Sequence, residues 1–510
     1  MTIISVLRGF LGVCLIIGIA FLFSNNKRKV NWRLVATGLL IQVIFAVFIL
    51  QGENIKSRFS GLGFLIHILN WSGLILAVTA FLITRKGDKI NWPLILSGGA
   101  VQFLFAGFMI FGDPIKIWHF IIGLPKGVVN WLGGAVITLL GFIKEGAFFV
   151  FGALGTPPTG EGSLGFFFAF QVLPTIIFFA ALTGVLYYLG ILQMVVKGMA
   201  YVMSRLLGTS GAESLSNTAN IFIGQTEAPI LVRPYIGTMT KSELFTIMVG
   251  GMATVAGGVM ASYIQMLGHA LAEARGLTVS AAQLQFARHL LTASVMAAPA
   301  SIVIAKILQP EIDTPKTLGT VKIKVERDAS NMIEALANGA SDGLKLALNV
   351  GAMLIVFIAF IYLLNFLLGA IGNIGGINEW LTAKFGRSLS MELILGIILK
   401  YLAIGIGVPT QDALHFGSLF GTKVVLNEFV AYIGLADAIK AGTMTAKGTA
   451  MATFALCGFA NFSSIAIQLG GIAPMAPHRK KDIAALGLKA VFGGSLVTLL
   501  TATLAGVLMG

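Results

Sequence analysis

The sequence predicts an all-α polytopic membrane protein: about ten transmembrane helices, two opposed re-entrant helical hairpins, and an inverted repeat in the core. Three observations carry this. Mean hydropathy is +0.90 over 510 residues, with 56% hydrophobic and 11% charged, a composition that belongs in lipid. Ten stretches are apolar over the roughly 20 residues that a span needs, namely 4–23, 31–51, 63–84, 91–111, 167–193, 244–267, 287–308, 346–368, 448–470 and 484–509. Two further apolar regions, 212–236 and 388–432, are broken at their centres by Gly, Pro and acids, and read as hairpins that enter and leave on one side.

Residues 1–112 form a scaffold of tandem hairpins, 1–52 and 61–112. The first span lacks an A-x-A cleavage signal and runs into Lys27-Arg28-Lys29, so it reads as retained rather than as a signal peptide. Lys29-Val-Asn-Trp-Arg-Leu-Val-Ala-Thr-Gly recurs sixty residues later as Lys89-Ile-Asn-Trp-Pro-Leu-Ile-Leu-Ser-Gly, with Asn31/Asn91, Trp32/Trp92, Gly38/Gly98 and Gln42/Gln102 in register. Each Trp suits a membrane interface. Gln42 and Gln102 are expected to hydrogen-bond between helices. Residues 113–166 read as an interfacial helix region and 167–205 as a scaffold helix with its connector. The first core half occupies 206–310, a cytoplasmic loop and scaffold helix 311–370, and the second core half 371–510. Within the loop, Val321-Lys-Ile-Lys-Val-Glu-Arg alternates like a short exposed strand.

The net charge of +14 reflects topology rather than a nucleic-acid partner. Lysine and arginine gather at 27–29, 85–89, 197–205, 233–241, 316–327 and 479–481. Placing every cluster in the cytoplasm requires both termini outside, with the first hairpin opening from the cytoplasm and the second from the outside. Cys14 and Cys457 lie in separate spans, which supports neither a disulfide framework nor a thiolate metal site. The six histidines show no metal-ligand spacing.

A second repeat organises the core. Glu227 is followed by Gly237-Thr-Met-Thr and a glycine-broken span, Met252-Ala-Thr-Val-Ala-Gly-Gly-Val-Met; Glu428 is followed by Gly442-Thr-Met-Thr and a span containing Cys457-Gly-Phe-Ala-Asn-Phe-Ser-Ser. Acid-bearing hairpin, short loop and interrupted helix thus occur twice. This is the pattern of an inverted-repeat secondary transporter, whose half-helix ends expose N–H and C=O groups at membrane depth. A carboxylate there costs several kcal/mol, roughly, and is normally kept for binding. Neither acid is expected to find a basic partner inside its own hairpin. Gln225, Thr226 and Glu227 offer amide, hydroxyl and carboxylate. Asn461 and Ser464 share one helix face, Phe459, Phe462 and Val259 supply apolar walls, and Glu428 adds a second acid. Asp412, in the second hairpin, is a candidate helix cap. Two acids with amides, hydroxyls and an aromatic wall suit a polyhydroxylated solute carrying a flat ring.

Gly224-Gln-Thr-Glu-Ala-Pro, Asn427-Glu-Phe-Val-Ala-Tyr and Gly458-Phe-Ala-Asn-Phe-Ser-Ser together resemble the signature of the concentrative nucleoside transporters, from about residue 140 to the C-terminus. The second N-terminal hairpin departs from the usual bacterial eight-span form. The resemblance implies a bacterial inner-membrane symporter, a homotrimer that imports nucleosides. It places Gln225, Thr226 and Glu227 at the nucleobase and its neighbouring water, and Val259 and Phe459 at apolar contacts. Glu428, Asn461 and Ser464 fall at the ribose. A Na+ site is implied at Asn220 and Ile223 with Thr254 and Val255, where an unwound segment exposes oxygen ligands. Proton coupling through a buried carboxylate is the alternative. An intramembrane hydrolase would need a nucleophile with its base, or a motif such as H-E-x-x-H, and neither is present. A channel is disfavoured by two opposed hairpins closing on one site.

Overall fold

The computed structural model describes residues 3–60, 114–156, 162–318 and 329–509. They fall into two compact units, Met1–Ala46 with Asn130–Gly510, and Val47–Val129. In the second unit the described backbone is helical. The spans at 63–84 and 91–111, the second copy of the tandem repeat, and the strand-like 321–327 lie outside the described residues.

The first unit begins with α1 (Ile3–Leu22) and α2 (Trp32–Ser60), the latter continuing into the second unit. Asn31 starts α2 by accepting from Leu34 N at 3.1 Å, which gives that repeat position a capping role. Gly38 allows close approach, since a Cβ there would lie 2.2 Å from Val303 Cγ2. Gln42 departs from expectation: it is fully buried, yet neither amide atom finds a hydrogen-bond partner among the described residues. Helix α3 (Pro114–Phe151) runs 38 residues, long and apolar enough to cross a membrane from Pro125 onward, where the sequence suggested an interfacial region.

Helices α4 (Leu173–Tyr188), α5 (Ile191–Leu207) and α6 (Gly211–Ala219) follow. Ser210 and Glu213 form a capping box that starts α6. After a tip at 220–227, a 3-10 run over Ala228–Val232 and a turn at Arg233–Ile236 complete the first hairpin. The next span is two helices, α7 (Lys241–Ala253) and α8 (Gly257–Arg275), then α9 (Val279–Leu308). In the second half come α10 (Met332–Gly372), α11 (Ile377–Phe385), α12 (Met391–Gly405), α13 (Ala413–Val425) and α14 (Glu428–Lys440). A second interrupted span, α15 (Ala446–Leu456) and α16 (Ser463–Ile472), precedes α17 (Lys480–Leu508).

Among the described residues, eight segments are long and apolar enough to span a membrane. Buried positions fill 89% of the apolar windows in α9 and α17 but only 11% of that in α10, so α9 and α17 are core and α10 presents most of its apolar surface outward. Where α10 meets α4 the contact runs through small residues: a Cβ on Gly339 would lie 2.7 Å from Ala181 Cα, and one on Gly343 2.8 Å from Ile177 Cα. Such close backbone approach is how helices associate in lipid, where hydrophobic burial contributes little.

Two features of the second half differ from the sequence reading. The acid-bearing hairpin is α13 and α14, turning at Leu426-Asn427, and so occupies only the later part of the 388–432 segment and runs on to Lys440; α12 is a separate helix. Composition could not divide them, because α12 is as apolar as a hairpin arm. The hairpin also contains a basic residue, Lys423, with no exposed surface.

Candidate functional site

The two copies of Gly-Thr-Met-Thr have a local purpose. Thr240 caps α7 in a capping box with Glu243, and Thr445 caps α15 by accepting from Gly448 N. Each repeat therefore starts its interrupted helix with the same hydroxyl. Asp412 does not cap α13; its carboxylate accepts from Thr445 N at 3.1 Å and from Thr445 Oγ1, and so ties the hairpin to the start of α15.

Both interruptions meet. A Cβ on Gly458 would sit 2.9 Å from the Met252 carbonyl oxygen, and one on Gly494 would sit 2.9 Å from Met252 Cβ and 3.1 Å from Ala460 Cβ. The tip of the first hairpin joins them through Gly257 N, which donates to Phe222 O at 3.1 Å. Half-helix ends and a hairpin tip thus converge, with glycines at the closest approaches.

A continuous polar chain crosses this junction. Gln468 Nε2 donates to Gln225 Oε1 at 3.1 Å and to Met248 O at 2.9 Å. Gln225 Nε2 donates to Ser464 Oγ at 3.2 Å, while Ser464 N donates to Asn461 Oδ1 at 2.9 Å. Asn461 Nδ2 donates to Glu428 Oε2 at 2.9 Å, and Tyr263 hydroxyl donates to Glu428 Oε1 at 3.0 Å. All six side chains are buried. Four of them, Gln225, Glu428, Asn461 and Ser464, come from the sequence-predicted set.

The other predicted residues surround this chain. Glu227 is exposed, and lines a cavity of about 320 Å³ with Gly224, Gly258, Val259 and Tyr187, near the small end of ordinary ligand sites at roughly 300–1,000 Å³. Thr226 packs against Gly471, where a Cβ would lie 2.5 Å from its methyl group. Phe459 is half-buried between Gly458 and Ala460. A larger cavity of about 920 Å³, walled mainly by apolar side chains such as Phe168, Met266 and Ile355, contains none of the predicted residues.

Asn220 ends α6 and Thr254 ends α7. Asn220 is completely buried, with neither amide atom bonded among the described residues; Thr254 is buried and donates to Gly250 O at 3.0 Å. Ile223 and Val255 are buried beside them in sequence, and offer only backbone oxygens. A buried, unpartnered amide costs about 1–3 kcal/mol unless a ligand satisfies it.

Tyr263 and Gln468 did not stand out in the sequence. Each had a signal: Tyr263 follows Val259 by one helical turn, and Gln468 continues the face of Asn461 and Ser464.

Family models match three parts of the chain: "Na+ dependent nucleoside transporter N-terminus" at residues 11–70, "Nucleoside recognition" at 169–270, and "Na+ dependent nucleoside transporter C-terminus" at 289–506. The chain is also 37% identical over 440 residues to the nucleoside permease NupC of Helicobacter pylori, covering 86% of this chain and 96% of that one. It belongs to the concentrative nucleoside transporter family. An uncharacterized transporter of Haemophilus influenzae is 41% identical over 445 residues, covering 86% of this chain and 96% of the relative. The structure of CNTnw in an inward-facing substrate-bound state matches with a TM-score of 0.68 at 36% identity, covering 99% of both chains. Concentrative nucleoside transporters are transporters rather than enzymes, and the all-helical, multi-pass architecture of this chain is theirs.

Proposed function

We propose that this chain imports nucleosides by symport with Na+ through alternating access, as a homotrimer of the bacterial inner membrane. The observation that carries the reading is the buried chain from Gln468 to Tyr263, which links the first hairpin, both interrupted helices and the second hairpin through one set of hydrogen bonds. In this reading Gln225, Thr226 and Glu227 meet the nucleobase and its neighbouring water. Val259 and Phe459 pack on the ligand, and Glu428, Asn461 and Ser464 hold the ribose hydroxyls. A carboxylate accepts from a diol, amides read a base edge, and an aromatic ring packs on a flat heterocycle.

The coupling ion would be held by Asn220, Ile223, Thr254 and Val255. The unpartnered Asn220 amide beside the carboxyl end of α7 favours a hard cation with oxygen ligands, and the negative end of a half-helix dipole adds to it. A proton carried by Glu227 or Glu428 is the competing reading. Labelled-nucleoside uptake into proteoliposomes under separately imposed Na+ and H+ gradients tests both. Uptake driven by Na+ alone is the expected result. Uptake driven by a pH gradient alone would replace the Na+ assignment, and no saturable nucleoside uptake under either gradient would overturn the substrate.

A further inference from the structure

The groups assigned to the nucleoside do not all meet in one space. Gln225, Ser464, Asn461 and Glu428 are linked to one another in the buried chain. Glu227 and Val259 instead line the cavity of about 320 Å³, and none of those four residues lines it with them. The far wall of this cavity belongs to α4 and α10, where its polar side chains include Thr183, Tyr187, Asn338 and Asp342.

Helix packing holds that wall in place. A Cβ on Gly184 would lie 2.9 Å from Ala335 O, and one on Gly339 2.7 Å from Ala181 Cα, so α10 is pressed against α4. Asn338 and Asp342, one turn apart on the same face of α10, stand exposed beside this seam. A carboxylate on a mostly apolar helix is normally kept for a partner or a ligand. The partner here is Lys345, whose Nζ donates to Asp342 Oδ1 at 3.1 Å; both side chains are more than 70% exposed, and ion pairs so exposed are weak.

Two carboxylates, an amide and an aromatic ring thus face this cavity from Glu227, Asp342, Asn338 and Tyr187. These are the same kinds of group that suit a ribose and a base at the central site. The ends of α4 and α10 that line the cavity adjoin the basic runs 197–205 and 316–327, which the charge rule puts in the cytoplasm.

We propose that this cavity is a second nucleoside subsite, on the cytoplasmic side of the central one, in which Asp342 takes the ribose diol with Asn338 beside it while Glu227 keeps the base. The inference rests on the nucleoside reading of Glu227 and Val259.

The test measures labelled-uridine transport at equal Na+ on both sides, in right-side-out and inside-out membrane vesicles carrying full-length wild type, D342N, N338A or K345A. Loading D342N from the cytoplasmic face is expected to need roughly tenfold more uridine for half-saturation, the effect of losing a charged acceptor. From the opposite face KM should stay within about twofold of wild type and kcat should fall instead, since both directions of a carrier share the same loss in kcat/KM. N338A should show the same split at roughly threefold, as for a neutral contact. With 2′,3′-dideoxyuridine, which has no diol, the ratio of D342N to wild type should return to about one at both faces. K345A removes the ion pair and keeps the carboxylate, so it should transport as wild type does.

Equal KM shifts at both faces would overturn the proposal, because a damaged fold or central site acts from either side. So would a KM rise confined to the opposite face, D342N matching wild type at the cytoplasmic face, or K345A reproducing D342N. If D342N does not insert, N338A decides, and the absence of a split in N338A rejects the subsite. Wild type without saturable uridine transport would remove the nucleoside reading and the subsite with it, whereas an active wild type with symmetric variants removes the subsite alone.

Discussion

Glu428→Gln separates the ribose assignment from a structural one. The two carboxylate oxygens accept from Asn461 Nδ2 at 2.9 Å and from the Tyr263 hydroxyl at 3.0 Å. Asn461 cannot invert its amide without losing the bonds that its Oδ1 accepts from Ser463 Oγ at 2.7 Å and Ser464 N at 2.9 Å. A glutamine must therefore turn its oxygen to Asn461 and its NH2 to Tyr263, whose hydroxyl can rotate to accept. The fold survives, and what disappears is the charge that a ligand hydroxyl would meet. A hydrogen bond to a charged acceptor is worth about 1.5–3 kcal/mol, so ribonucleoside affinity should fall by roughly 10- to 100-fold. Calorimetric titration of wild type and E428Q with uridine, 2′-deoxyuridine and 3′-deoxyuridine isolates the contact. For the analogue lacking the hydroxyl that Glu428 accepts, the variant's penalty should shrink to about threefold or less, the residual expected when a partner is already gone. An equal penalty for all three ligands would refute the ribose contact.

Glu227→Gln keeps the size of a side chain at the cavity wall and removes its charge; proteoliposome uptake should fall by at least roughly tenfold, and near-normal uptake by inserted protein would reject Glu227 as a ligand group. Thr254→Ala removes a hydroxyl from the proposed cation site, and the Na+ concentration for half-maximal uptake should rise roughly tenfold, about the loss of one ligand to a charge; an unchanged value would move the ion elsewhere. Gly458→Ala forces a Cβ to 2.9 Å from Met252 O and 2.9 Å from Thr498 Cγ2, and overpacking of this kind costs about 1–3 kcal/mol. Its melting temperature should drop, and an unchanged one would show that the two interruptions are not in contact.

The parts of the fold that depend on local chemistry were legible. Glycine-broken spans and the repeated Gly-Thr-Met-Thr each act within a few residues, and α7/α8 and α15/α16 break where their sequences break, whereas the one cap named from the sequence, Asp412, bonds Thr445 instead of its own helix. The second hairpin was harder to place because α12 and α13 are both apolar; only the packing that separates them distinguishes helix from hairpin arm. Lys423 was missed for a related reason. A lysine in an apolar run looks like an interfacial residue until its partners are seen at Ala455 and Thr498, 32 and 75 residues away. Tyr263 is likewise defined by its bond to Glu428, 165 residues distant. Periodicity puts a residue on a face but does not name what that face meets.

The hydrogen-bond chain also constrains how any ligand gains affinity. Gln225 is already bonded to both Ser464 and Gln468, and Glu428 to both Tyr263 and Asn461. A solute that reaches these groups exchanges bonds rather than adding them, and exchange is nearly neutral in free energy. Discrimination then comes from what a wrong ligand leaves unmet. An analogue that displaces the Asn461 or Gln225 bond without replacing it strands a buried polar group at about 1–3 kcal/mol. The same arrangement couples the halves, since Gln225 belongs to the first hairpin while Ser464 and Gln468 belong to the second interrupted helix. A ligand that displaced the Gln225 bonds would remove contacts between the two repeats, and could bias a conformational equilibrium only to the extent that it binds one arrangement of them better than another.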